Sequence, residues 1–178
     1  MKFIKYLLVT VLVVVGLMLV YGLSPLRPVR DVFTVTTIDA PKQQVWQALT
    51  NFDAYHSWNP FYTLVAGRCL VGEHLHIVVQ MEDRSLTYSP VIEKVEPQSE
   101  LAWSEEWVLP GLFDGQHRFM LESTDSGQTR FVQHDRFSGT LVPLLMGLYE
   151  GQAEAGFRRM NDALKKRAEQ SSPLDVPL

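Results

Sequence analysis

Four polar side chains interrupt apolar alternations in the second half of the chain. Leu101, Trp103, Glu105 and Trp107 share one face of a period-two stretch, and His117, Phe119 and Leu121 share one face of the next. Phe131, Gln133, Asp135 and Phe137 line one side of a third. If these faces meet, Glu105, His117 and Asp135 stand together among aromatic rings. A carboxylate enclosed there is penalised in its charged form, so its pKa rises. With His117 as partner, it can then act as a general acid or base. The competing reading is structural: the same carboxylates can simply pair with Arg118, Arg130 or Arg136, and a slip of one residue turns every side chain to the opposite face.

Other chemistries find less support. His74 and His76 form an H-x-H pair that could begin a metal site, but no Cys or carboxylate follows at ligand spacing, and no metal or cofactor is expected. His56 and His134 read as surface residues. The chain contains no G-x-S-x-G, phosphate-loop or dinucleotide fingerprint, which removes the common hydrolase and nucleotide-dependent classes.

The elements that must position these residues follow from hydrophobic period. Asp31 to Ile38 is rich in β-branched residues and predicts a strand. Asp39-Ala40-Pro41 starts a short helix, with Pro41 at its first position, and Val45, Trp46 and Leu49 on one side. Asn51 interrupts it, and Phe52 to Trp58 forms a further turn or two. Asn59-Pro60 ends it, because the residue before proline avoids the helical region. From Phe61 the period is two for some eighty residues. Leu86 to Val95 reads as one strand in which Pro90 demands an edge or a bulge, and Asp125-Ser126-Gly127 is a hairpin turn. A long helix closes the chain, with Pro143 in its first turn and Leu144, Leu145, Leu148, Tyr149, Ala155, Phe157, Met160 and Leu164 on a broad apolar face.

The order is strand, two short helices, about six strands and one long helix. This is an α+β arrangement in which a curved antiparallel sheet of about seven strands needs its apolar face covered by the last helix. Two short helices carrying Trp46, Phe52, Tyr55 and Trp58 can plug the open end of the curve, or their rings can simply fill the core. Trp58, Asn59 and Phe61, at the helix-to-strand corner, are candidate ligand contacts. The others are Trp103, Trp107, Phe119, Phe131, Gln133, Phe137, Leu145 and Tyr149. Val108 to Gly115 (VLPGLFDG) places Leu109, Leu112 and Phe113 in a loop. Such residues are costly to leave in water, so the segment reads as a lid over a cavity mouth or as a loop tucked against the long helix.

The beginning of the chain differs in kind. Lys2 and Lys5 precede an uncharged apolar run of 17 residues, Leu7 to Leu23. A spanning helix needs about 20 apolar residues and the apolar part of a cleavable signal about 7–15. We therefore expect a signal-anchor over 1–23, with membrane contact through residues 6–23; a cleaved signal is the alternative. Lys2 and Lys5 would stay on the cytoplasmic side and send the domain across, although Arg27 and Arg30 oppose this orientation. A stiff linker (24–30, with Pro25 and Pro28), a domain over 31–170 and a frayed tail over 171–178 complete the division. The net charge of −4 becomes about −6 without the two N-terminal lysines, which argues against a nucleic-acid surface. Cys69 is the single cysteine and cannot form an internal disulfide.

The stretch IDAPKQQVWQALTNFDAYHSWNPF, followed by VIEKVEPQSELAWS and FVQHDRFSGTLVPLL, resembles the START-like superfamily of helix-grip proteins. It is closest in kind to the bacterial polyketide cyclase/dehydrase-like (SRPBCC) branch. The resemblance spans roughly residues 31–169. It implies a container whose members bind lipids, polyketides, plant hormones or other apolar molecules between sheet and long helix, some of them catalysing cyclisation or ring hydroxylation. It carries over no fixed catalytic motif, and fold alone does not settle function. The expectation is membrane-tethered binding or transfer of a small hydrophobic or amphipathic ligand, with a cyclase- or dehydratase-type enzyme as the alternative.

Overall fold

The computed structural model describes residues 2–82, 84–106 and 109–170, with the backbone alone for Glu106, Leu148 and Tyr149. Trp107 and the expected tail over 171–178 therefore lie outside the described residues, as does the Tyr149 side chain.

The first helix, α1 (Lys2–Gly22), is apolar on all sides, and only Gly22 is buried. Its 21 residues at about 1.5 Å each give roughly 31 Å, close to the thickness of a bilayer core. Strand β1 (Val29–Ile38) follows, then α2 (Lys42–Thr50), a 3-10 turn (Phe52–Ala54) and α3 (Tyr55–Trp58). Pro41 is the cap of α2 rather than its first residue: its ψ of 152° is extended, and its carbonyl accepts from the N–H groups of Gln44 and Val45.

Seven strands come next: β2 (Tyr62–Ala66), β3 (His76–Gln80), β4 (Ser85–Tyr88), β5 (Val91–Glu96), β6 (Glu100–Glu106), β7 (Asp114–Ser123) and β8 (Thr129–Ser138). The helix α4 (Val142–Gln170) closes the order. The antiparallel strands form a five-stranded sheet, β1-β8-β7-β6-β5, and a three-stranded sheet, β2-β3-β4. This makes eight strands among the described residues, where the sequence suggested about seven, because the expected strand over Leu86 to Val95 is two. Proline cannot donate to a ladder, and at Ser89-Pro90 the chain leaves the edge of one sheet for the edge of the other. The two leaves are stitched where Leu75 N–H donates to the Pro90 carbonyl (2.9 Å) and where Gly72 and Glu73 exchange bonds with Ile92 (2.8 and 3.0 Å).

The C-terminal half of α4 lies on β1, burying Phe157, Met160, Leu164 and Ala168. A polar pin fixes it there: Asn161 Nδ2 donates to Thr34 Oγ1 (2.8 Å) and Thr36 Oγ1 (3.3 Å). Leu144, expected on the buried face, is 66% exposed. The buried face of the helix start runs through Val142 and Met146 instead.

The aromatics of the short helices mostly fill the core. Phe52 and Tyr55 are buried, and Trp58 packs edge-on against Tyr55 with ring centres 4.9 Å apart. The Tyr55 hydroxyl donates to the Leu49 carbonyl, tying α3 to α2. Buried Asn59 then turns the chain into β2, its Oδ1 accepting from the N–H groups of Phe61 (3.0 Å) and Tyr62 (2.9 Å).

Candidate functional site

Sheet and long helix do not meet flush. Beneath the N-terminal half of α4 lies a cavity of about 140 Å³. Its walls come from Trp103 and Glu105 on β6, Gly115 and His117 on β7, and Asp135 and Phe137 on β8. The roof is Leu145, Met146, Ala153 and Phe157 of α4, and the far side is the smaller sheet with Phe61 and Tyr62.

Register explains the arrangement. Trp103 pairs with His117 and His117 with Asp135, so one row across three strands reads Trp-His-Asp. The next row reads Glu105, Gly115, Phe137. Gly115 supplies the gap: a Cβ there would only just touch the Phe137 ring, at 3.7 Å, so a side chain longer than methyl would occupy the cavity.

Buried His117 is the hub. Its ring stacks on Trp103 (centres 5.3 Å apart, planes 18° apart), and Phe119 and Phe157 close two further sides. The Gln133 amide nitrogen lies 3.2 Å from Nε2. With that amide donating, Nε2 accepts, and the ring proton belongs on Nδ1, which lies 3.1 Å from Asp135 Oδ1. The Tyr62 hydroxyl sits 3.3 Å from the same nitrogen. The result is a buried cluster of phenol, imidazole and carboxylate. Glu105 accepts from the Ser89 N–H (3.3 Å) at the crease between the two sheets.

Tyr62 and Tyr88 add phenols to this wall. Burial raises the Tyr62 pKa first, with the nearby Tyr88 and Asp135 adding to it. Tyr88 is raised by burial and then by Asp135 and Glu105. Both therefore stay protonated and can orient a polar group of a bound molecule.

The structure thus brings Phe61, Trp103, Glu105, His117, Asp135, Phe137 and Leu145 together on one cavity surface. Phe119, Phe131 and Gln133 are buried behind it and support it rather than line it. Trp58 and Asn59 stand at the corner as packing and turn residues, away from the lining. Sequence reasoning missed Tyr62 and Tyr88. Leu86 and Tyr88 do alternate, but the strand carrying them was merged with its neighbour. At Tyr62 a register shift between Tyr62 and Leu64 interrupts the period-two signal.

The loop after β6 covers one end of the cavity. Phe113 stacks on Phe137 (centres 5.3 Å, planes 26°) and lines the interior, whereas Leu109 is 41% exposed. The loop is laced to the start of α4 by Thr140 N–H to Gly111 carbonyl (3.0 Å) and Leu141 N–H to Leu112 carbonyl (2.9 Å). Gly111, at φ +83°, takes a backbone conformation that other residues rarely adopt. His74 and His76 are exposed, and among the described residues no group of three or more His, Cys, Asp or Glu could hold a metal ion.

An antiparallel sheet curved around a long C-terminal helix, with a cavity between them, defines the helix-grip class of START-like (SRPBCC) proteins. Residues 30–169 match the family model described as polyketide cyclase / dehydrase and lipid transport, and the chain belongs to that family. Its fold supports ligand binding in an internal cavity.

Solved structures agree on the architecture. The Zhui aromatase/cyclase from a Streptomyces species superposes with a TM-score of 0.67 at 17% identity, covering 80% of this chain and 95% of the other. Norcoclaurine synthase from Thalictrum flavum gives 0.66 at 12% identity over 85% and 92%. A protein of unknown function from Staphylococcus aureus gives 0.62 at 14% over 80% and 95%. At these identities the likeness is one of fold. No curated protein matches the chain in sequence.

Proposed function

We propose that the chain binds, and passes on, a small hydrophobic or amphipathic lipid-like ligand while held at a membrane by α1, its domain on the extracytoplasmic side. The observation that supports this is the cavity itself: a wall of rings and aliphatic side chains, broken by a few polar groups at His117, Asp135, Glu105, Tyr62 and Tyr88. Such a composition suits a ligand with an apolar body and one polar end. A cavity of roughly 150 Å³ lined by apolar side chains is enough to take up a benzene ring, so the space here admits a ring or a short length of chain. The uniformly apolar, exposed α1 supports the tether, because no face of it suits water. Lys2 and Lys5 before it support the orientation.

The test is mass spectrometry of organic extracts from the purified full-length protein, with thermal shifts across a lipid panel. A co-purified amphiphile that also raises the melting temperature is the expected result. A clean extract with no shift for any lipid rejects the reading. Alkaline carbonate washing of membranes should leave the chain in the pellet, and its release would reject the tether.

A second reading, a cyclase- or dehydratase-type enzyme acting on a bound polyketide or aromatic compound, is favoured by the Tyr62–His117–Asp135 cluster. There Asp135 would favour the imidazole proton on Nδ1, Tyr62 would orient the bound molecule, and Glu105 would exchange a proton with it. Unaltered lipid binding by a Glu105→Gln/His117→Ala double variant, together with no turnover by the parent, would remove this reading.

A further inference from the structure

The end of α1 touches the loop that covers one end of the cavity and the turn before α4. Thr140 Oγ1 donates to the Met18 carbonyl at 2.6 Å, one turn before the helix ends. Gly22, the one buried residue of α1, lies so close to Gly111 that any side chain there would overlap the Gly111 carbonyl. Leu23 packs beside Gly22 on the same spot, its Cγ and Cδ2 3.0 and 3.1 Å from where a Cβ on Gly111 would stand.

These contacts fix a depth. With α1 spanning, its roughly 31 Å fills the hydrocarbon core, and Gly22 marks the boundary with the headgroups. Thr140 meets the helix about one turn, or roughly 5 Å, below that mark. The loop Leu109–Leu112 and the first turn of α4, laced to each other and to Thr140, therefore stand at headgroup level. The surface they present fits that place. Leu26 (80% exposed), Leu144 (66%), Leu23 (59%) and Leu109 (41%) are large apolar side chains left in the open, each a loss of about 25 cal/mol per Å² in water. Arg27 and Arg30, both exposed, follow the helix end where lipid phosphates lie. The nearby Asp114 carboxylate is engaged by the Gly111 N–H at 2.9 Å.

We propose that this face, made by Leu23, Leu26, Leu109 and Leu144, docks onto the bilayer that holds α1, so that the Phe113–Leu145 end of the cavity opens toward lipid rather than water. The inference rests on the reading of α1 as a membrane span. The outward Leu144 is followed directly by the lining Leu145, and the same loop that exposes Leu109 turns Phe113 inward. A ligand would then pass between bilayer and cavity without crossing an aqueous gap.

The experiment uses the full chain, with Cys69→Ser removing the native thiol, in phosphatidylcholine nanodiscs with and without doxyl-labelled lipid. The fluorophore NBD is attached singly through Leu109→Cys, Leu144→Cys, Val14→Cys and Ser126→Cys, the last in the hairpin at the far end of the sheet. Docking predicts quenching at 109 and 144 several-fold stronger than at 126, with 14 quenched most. Quenching at 14 but only the level of 126 at 109 and 144 overturns the docking and leaves the span intact. Absence of quenching at 14 overturns both.

Discussion

The Nδ1 atom of His117 lies 3.1 Å from Oδ1 of Asp135, and the two residues are also direct cross-strand partners on β7 and β8. Backbone register and side-chain proximity thus specify the same pairing, with the imidazole 3% exposed. Asp135→Ala removes the carboxylate beside a buried ring donor, and loss of a polar partner from a buried group costs about 1–3 kcal/mol. Denaturant unfolding should show a loss of that size. A loss below about 0.5 kcal/mol, the level typical of surface changes, would mean that the Tyr62 hydroxyl, 3.3 Å from the same nitrogen, already satisfies it.

Gly115 is the cheapest place to fill the cavity. Gly115→Val keeps a strand-favouring residue at an ordinary contact distance from Phe137 and projects its methyl groups into the space that a ligand would use. Uptake of a hydrophobic fluorophore such as N-phenylnaphthylamine should fall steeply while circular dichroism and melting stay near those of the parent. Undiminished uptake would locate binding elsewhere.

Two glycines of α4 should respond to alanine with opposite signs. Nothing approaches a Cβ at Gly151, so Gly151→Ala should stabilise by about 0.5–1 kcal/mol through helix propensity. At Gly156 the Phe61 ring occupies the space, and the ring is itself held edge-on against Phe157. Overpacking costs about 1–3 kcal/mol and exceeds the propensity gain, so Gly156→Ala should lower stability. A pair of chemical denaturation curves decides it.

Tyr55, Tyr62 and Tyr88 all have pKa values raised by burial. In the unfolded chain they ionise near pH 10; in the fold they stay neutral. Stability is therefore fully present below about pH 10 and is lost as pH rises above it, by about 1.4 kcal/mol per unit for each tyrosine. Unfolding free energy measured from pH 9 to 11.5 should fall more and more steeply. Tyr62→Phe should make the fall shallower, and a slope unchanged by that substitution would contradict the assignment.

The order of elements was legible because strands and helices write different periods into the sequence, and because Asn59-Pro60 and Asp125-Ser126-Gly127 punctuate them. The facing of Trp103, Glu105, His117 and Asp135 was legible for the same reason: unbroken alternation over β6, β7 and β8 fixes side, and antiparallel order fixes neighbours. Tyr62 and Tyr88 were lost where alternation fails, at the shift after Tyr62 and at the sheet change beside Pro90. Composition could not separate Trp58, which packs on Tyr55, from Phe61, which lines the cavity. Both are aromatic residues at one corner, and only the course of the chain beyond Asn59 divides them. The missing volume at Gly115 left no signal, because a glycine in a strand marks a bulge, a bend or a close approach equally well.

Gly22 and Gly111 approach each other so closely that neither can gain even a methyl group without moving the other's backbone. Through Gly111, that displacement reaches Phe113 two residues on, which lines the interior. The N-terminal helix is thus a structural partner of the pocket as well as its neighbour in sequence. A truncation beginning after Gly22 would remove the helix packed on Gly111 and Thr140, so ligand affinities measured on it need a comparison with the whole protein.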